Sequence, residues 1–155
     1  MLLSEIIAAI QPVRVYGDDT NILSTTDIQY LLTDSRLLSS APAHTMFFAL
    51  KTNKNDGAKY VQDLYIKGVR VFVVQNEESV MHNAKCTMGE AVFLIVNDTL
   101  QALQDLAAYK RSLYRCPVIG ITGSNGKTVV KEWLYQLLKD DYRITRSPKS
   151  YNSQI

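Results

Sequence analysis

The turn Ile121-Thr122-Gly123-Ser124-Asn125-Gly126-Lys127-Thr128 lies between a β-branched apolar run and a segment with helical spacing, which restricts this part of the chain to a strand–loop–helix unit. The run before it, Pro117-Val118-Ile119-Gly120-Ile121, reads as a short buried strand. The segment after it places Val130, Trp133, Leu134, Leu137 and Leu138 on one apolar stripe, so Trp133 is expected in a core. Backbone N–H groups converge on phosphate oxygens only where side chains leave room, and Gly123 and Gly126 meet that need. Lys127 adds a cation, the Thr128 hydroxyl can ligate Mg²⁺, and the helix N-terminus adds the positive end of its dipole. Thr122 to Thr128 are therefore the candidate ATP site, with Lys127 and Thr128 in the catalytic role and Thr128 as metal ligand.

The general pattern G-x-x-x-x-G-K-[ST] calls for glycine at position 121, where this chain has Ile121; Gly120 is one place early. The departure points away from a generic kinase or GTPase and towards a subfamily whose loop carries its glycine at Gly123. Only 27 residues follow Thr128, whereas a full P-loop domain needs several further βα units. The expected organisation is a whole N-terminal domain, residues 1–115, and the truncated start of an ATP-binding central domain, residues 116–155.

A net charge of +2 with interspersed signs gives no basic stripe and argues against nucleic-acid binding. The longest apolar runs, Val69 to Val74 and Ala91 to Val96, are far short of a bilayer span, and no signal-type leader opens the chain. A soluble, cytoplasmic protein is expected. Cys86 and Cys116 read as free thiols, and the isolated His44 and His82 argue against a histidine metal site.

Elsewhere β and α signals alternate. A helix is expected over Leu2 to Ile10, ended by Pro12, with strands at Val13 to Tyr16, Ile28 to Thr33 and Thr45 to Leu50. A second helix should run from Ala58 to Lys67 and stop at Gly68. Val69 to Val74 and Ala91 to Val96 suit a sheet buried on both faces. Asp98 with Gln101 resembles a capping box opening a third helix. This order implies an α/β fold with a mixed or parallel sheet.

The segment Leu32-Thr33-Asp34-Ser35-Arg36, then Pro42, then Met46-Phe47-Phe48-Ala49-Leu50, then Asp56-Gly57, resembles the N-terminal block of the Mur ligases, which build the peptide stem of bacterial peptidoglycan. The resemblance continues through Lys67-Gly68-Val69-Arg70, Asn97-Asp98-Thr99-Leu100-Gln101-Ala102-Leu103 and the phosphate loop, whose Mur form T-G-[ST]-[ND]-G-K-[ST] lacks the first general glycine. Many relatives have histidine after the D-G pair; here it is Ala58, so no role of that histidine carries over. Lys131-Glu132, Asp105 to Tyr109 and Asn152-Ser153-Gln154-Ile155 look most like the member that adds D-alanyl-D-alanine to UDP-N-acetylmuramoyl tripeptide.

That resemblance implies an ATP-dependent amide ligase working through an acyl phosphate, with the 155 residues alone inactive. It implies that Thr33, Ser35, Arg36, Asn53, Lys54 and Asn55 meet the uridine diphosphate end of the substrate and that Asn152 approaches it. On general grounds Asp34-Ser35-Arg36 alone reads as a polar turn with a local salt bridge, a preference that its spacing to Phe47-Phe48-Ala49-Leu50 and Asp56-Gly57 reverses; Asn53 to Asn55 can also be a solvated turn, and Glu132 reads as a surface charge. A ligase adding the third stem residue, a folate-type relative and a non-catalytic nucleotide-binding module stay open as alternatives. Some bacteria fuse such a ligase to an alanine racemase, which these residues neither require nor exclude.

Overall fold

The computed structural model of the chain describes residues 1–17, 25–52, 55–75 and 90–147. The chain divides into two units, Met1–Tyr114 and Arg115–Ile155.

The first unit contains α1 (Leu3–Ile10), β1 (Arg14–Tyr16), β2 (Tyr30–Leu32), β3 (Thr45–Phe48), β4 (Lys51–Thr52), β5 (Asn55–Asp56), α2 (Val61–Ile66), β6 (Val71–Val74), β7 (Val92–Ile95) and α3 (Thr99–Ser112). Five strands form one sheet in the order β1-β7-β6-β3-β2. β2, β3, β6 and β7 run parallel, while β1 pairs antiparallel with β7. The fold is thus α/β with a mixed sheet. Every residue of β3, β6 and β7 is buried, the burial that their unbroken apolar runs require.

Alternation along these strands splits the core in two. Met46, Phe48, Val71, Val73, Val92 and Leu94 pack with Leu3, Ile6 and Ile10 of α1 and Ala102 and Leu106 of α3. Phe47, Phe72, Val74, Phe93 and Ile95 pack with Val61 and Leu64 of α2. Register places Phe47 beside Phe72 and Phe72 beside Phe93. Their rings make an edge contact at 6.5 Å and a stacked one at 5.3 Å, a row across three strands.

Local chemistry sets the element ends. α1 begins where the Leu2 N–H donates to Glu5 Oε2 and ends where Gln11 takes the left-handed conformation, φ 45°. Asp98 caps α3 by accepting from the N–H groups of Leu100 and Gln101. The Gln101 side chain donates through Nε2 to Asp105 Oδ1 at 2.9 Å, a charged acceptor one turn on. The helix expected from Ala58 starts as a 3-10 turn, Gly57–Tyr60, before α2.

The second unit holds α4 (Lys127–Leu138). The strand expected at 117–121 is absent: these residues form no ladder, and Val118 and Ile119 are each 65% exposed. A parallel strand exists only with neighbours, and no described residue of this unit supplies one. For the same reason Trp133, expected in a core, is 64% exposed: an apolar helix stripe is buried only against another layer. Among the described residues no helix is long and apolar enough to cross a membrane.

Candidate functional site

The phosphate loop takes the conformation its glycines permit. Gly123 and Gly126 have φ of 142° and 78°, values an L side chain strains to adopt. Gly126 is the N-cap of α4, and no side chain caps that helix. The first turn of α4 points its N–H groups and the positive end of its dipole towards the loop. Lys127, the first residue of α4, folds back so that Nζ donates to the carbonyl oxygens of Gly123 at 2.5 Å and Ser124 at 3.4 Å. Loop carbonyls, rather than a carboxylate, hold this ammonium. Thr122, Ser124, Asn125 and Thr128 are exposed around it. The residues fit a nucleoside triphosphate: two glycines in the left-handed region, a helix N-terminus, a cation and a hydroxyl on one short turn.

Thr128 is the second residue of α4, where a hydroxyl can serve a magnesium ion. Glu132, one turn further along, pairs with Arg146 and lies 3.4 Å from Lys131 Nζ. It is engaged in a local ion cluster within the second unit.

The other group of expected site residues follows from the sheet. Parallel β2 and β3 bring their carboxyl ends to one edge, so Thr33, Ser35 and Arg36 after β2 share that edge with the β4–β5 hairpin after β3, which carries Asn55. Ligands of open α/β sheets bind beyond the carboxyl ends of the strands. Asn53, Lys54 and Asn152 lie outside the described residues.

Asp34 dominates its turn. It caps the 3-10 turn Ser35–Leu37 by accepting from Arg36 N–H, and it takes the Arg36 side chain in a two-pronged pair, Nε at 2.9 Å and Nη2 at 2.6 Å. The Arg36 side chain is 85% exposed. Hydrogen bonds from Arg36 hold the Asp34 carboxyl down at about 2, and the same pair raises Arg36. The local salt bridge is thus formed, with the Nε–Nη2 edge of Arg36 committed to Asp34.

The Asp56-Gly57 pair has a packing reason of its own. Asp56 Oδ1 accepts from Ala58 N–H at 2.9 Å, and Gly57 sits where a Cβ would come within 2.8 Å of the Ala49 backbone.

Two residues at the same sheet edge carry no sequence signal beyond being polar after apolar runs. Gln75, after β6, donates through Nε2 to the Asn97 carbonyl after β7 at 2.7 Å, tying the two strand ends together. Beside Asn97 a cleft of about 150 Å³ is lined by Ile10, Gln11, Val13, Asp98 and Gln101.

No protein-family model matches the chain. Over 160 residues the chain is 33% identical to the UDP-N-acetylmuramoyl-tripeptide--D-alanyl-D-alanine ligase of Treponema pallidum, covering 100% of this chain and 33% of that protein. It is 37% identical over 131 residues to the ligase of the same name from Bacillus subtilis, covering 84% of this chain and 26% of that one. A crystal structure of MurF from Acinetobacter baumannii matches with a TM-score of 0.74 at 31% identity, over 94% of this chain and 29% of that chain. The chain belongs to the Mur ligase family. It spans a third or less of the length of the Mur ligases it matches, 33% and 26% of the two named above. Other Mur ligases it resembles are named for joining 2,6-diaminopimelate.

Proposed function

We propose that the chain is part of an ATP-dependent ligase that joins D-alanyl-D-alanine to UDP-N-acetylmuramoyl tripeptide, with residues 1–115 gripping the UDP-linked substrate and residues 116–155 opening the ATP-binding domain. The observation that carries the reading is the glycine N-cap of α4, with Lys127 folded onto the glycine loop, in a chain whose relatives bear that ligase name. The diaminopimelate alternative has less support, since the relatives matching over the whole chain are named for D-alanyl-D-alanine.

ATP supplies the phosphoryl group that turns a carboxylate oxygen into a leaving group as an acyl phosphate. The chain's own part is positioning and charge. Amides from Gly123 to Lys127 orient the phosphates, and Lys127 leaves its loop carbonyls to neutralise negative charge as it spreads. Thr128 is the proposed Mg²⁺ ligand, and α4 aims its dipole at the same point. Thr33, Ser35, Arg36, Asn53, Lys54 and Asn55 are proposed to hold the uridine diphosphate end, and Asn152 to approach the substrate. The sheet-edge placement of Thr33, Ser35, Arg36 and Asn55 supports this. Such a ligase works in the cytoplasm, where ATP and UDP-linked precursors meet. The 155 residues alone, a third of the relatives' length, are proposed to be inactive.

The test is phosphate release by the full-length ligase carrying this sequence, given ATP, the UDP-linked tripeptide and D-alanyl-D-alanine. Turnover on the order of 1–100 per second is expected. Lys127→Ala should lower kcat/KM about 10²–10³-fold, roughly 3–4 kcal/mol, in a folded enzyme. Turnover with diaminopimelate and the UDP-linked dipeptide instead would reassign the substrate, and near-normal turnover of the variant would remove Lys127 from the mechanism.

A further inference from the structure

On α4, Lys127, Lys131 and Tyr135 follow one another at four-residue spacing and so share one face, while Val130, Trp133 and Leu137 occupy another. The chain after the helix returns along the polar face. Lys131 Nζ donates to the Ser147 carbonyl oxygen at 2.8 Å, Arg146 pairs with Glu132, and the Arg146 guanidinium lies over the Tyr135 ring at 4.0 Å. Three helix residues thus hold two consecutive residues of the returning segment. Lys131 is only 16% exposed in this arrangement, unusual for a lysine on an otherwise open helix. One of the held groups, the Ser147 carbonyl, is bound by the residue one turn along the face that Lys127 begins.

We infer that Lys131 and Arg146 are positioning residues: they clamp the returning segment along α4 so that Ser147 lies beside the phosphate site, where the carboxylate-bearing substrate must meet the γ-phosphate. This rests on the ligase reading above. The clamp combines a directional hydrogen bond, an ion pair and a ring stack, each fixing a different degree of freedom of the segment. Exposed ion pairs contribute little to stability, so an arrangement of this kind on an open face is better accounted for by placement than by folding energy.

The experiment uses the full-length ligase with Arg146→Ala, Lys131→Ala, Arg146→Lys and the exchanged pair Glu132→Arg with Arg146→Glu. Arg146→Ala and Lys131→Ala should raise KM for the UDP-linked substrate about tenfold or more, with KM for ATP changing less than about threefold. Arg146→Lys and the exchanged pair should recover part of the loss. Hydrogen exchange at the amides of 143–147, followed without substrates, should accelerate in Arg146→Ala while that of α4 stays unchanged. Unchanged exchange overturns the clamp itself. An unchanged KM ratio with accelerated exchange, or a parallel loss of ATP and substrate binding, overturns its positioning role. A wild-type enzyme that releases no phosphate overturns the ligase reading and the positioning role with it, whereas the exchange measurement still reads the clamp.

Discussion

The ammonium of Lys127 rests 2.5 Å from the carbonyl oxygen of Gly123, so the lysine closes a ring over the glycine loop that precedes it. A phosphate entering the loop offers a charged acceptor in place of a neutral one, which adds direct charge attraction to the hydrogen bond of the ammonium. Adding Mg-ATP should therefore draw Lys127 away and shift the carbonyl ¹³C resonances of Gly123 and Ser124. Lys127→Ala should show those carbonyls already displaced and insensitive to nucleotide. Carbonyl signals that ignore nucleotide in the unaltered chain would mean that the lysine does not turn to the phosphates.

The Asp34–Arg36 pair sets a pH dependence of known sign. The Asp34 carboxyl is held at about 2 by the Arg36 hydrogen bonds, below its ordinary value of 3.8. A depressed carboxyl stabilises the fold fully above its unfolded value and loses that contribution as pH falls towards the folded one. Between pH 6 and 9 the pair should leave stability flat; below about pH 4 it should be lost progressively. Carboxyl ¹³C titration should place Asp34 near its folded value, and Arg36→Ala should return it towards the ordinary range. An Asp34 midpoint unmoved by Arg36→Ala would show that something else holds the proton off.

Gly57 should tolerate no side chain. A Cβ there meets Ala49 main-chain atoms at 2.8 Å and Leu50 N at 2.9 Å, and backbone cannot yield as a flexible side-chain tip can. Gly57→Ala is expected to destabilise the first unit by ~1–3 kcal/mol, read from the urea midpoint at unchanged slope. An unshifted midpoint would mean that the β4–β5 hairpin moves aside at no cost.

Phe72 is the middle ring of the three-strand row, fully buried between Phe47 and Phe93. Phe72→Ala should cost ~3–5 kcal/mol and Phe72→Leu distinctly less, since leucine keeps most of the volume. Equal effects of the two would show that ring geometry, rather than volume, governs this layer.

The buried strands were legible because their runs of Val, Ile, Leu and Phe leave no polar face, so Val71–Val74 and Val92–Ile95 fall inside the expected limits. Asp98 was equally plain as a cap. What the sequence hid depended on partners distant in the chain. The segment 117–121 has a strand's composition, but a strand is a property of a pair. The β4–β5 hairpin is written in polar residues with no alternation to find. Gln75 and Asn97 are joined only because parallel strands end together. In the phosphate loop the glycine spacing announced the turn, while the folded-back Lys127 could not be read from spacing, since it depends on which acceptor lies nearest.

The antiparallel edge of the sheet joins two strands that lie about eighty residues apart in sequence. β1 precedes the other strands of the sheet in sequence, yet among the described residues Arg14, Val15 and Tyr16 pair with Ile95, Leu94 and Phe93. Until residue 95 has emerged, β1 has no edge to join, and α1 lacks the helix α3 beside which it packs. The parallel pair β2–β3 can form much earlier, with β6 added as it appears. The first of these strands in sequence is therefore a late arrival in the fold, and Ile6 and Ile10 of α1 wait for α3 before the layer that covers them is complete.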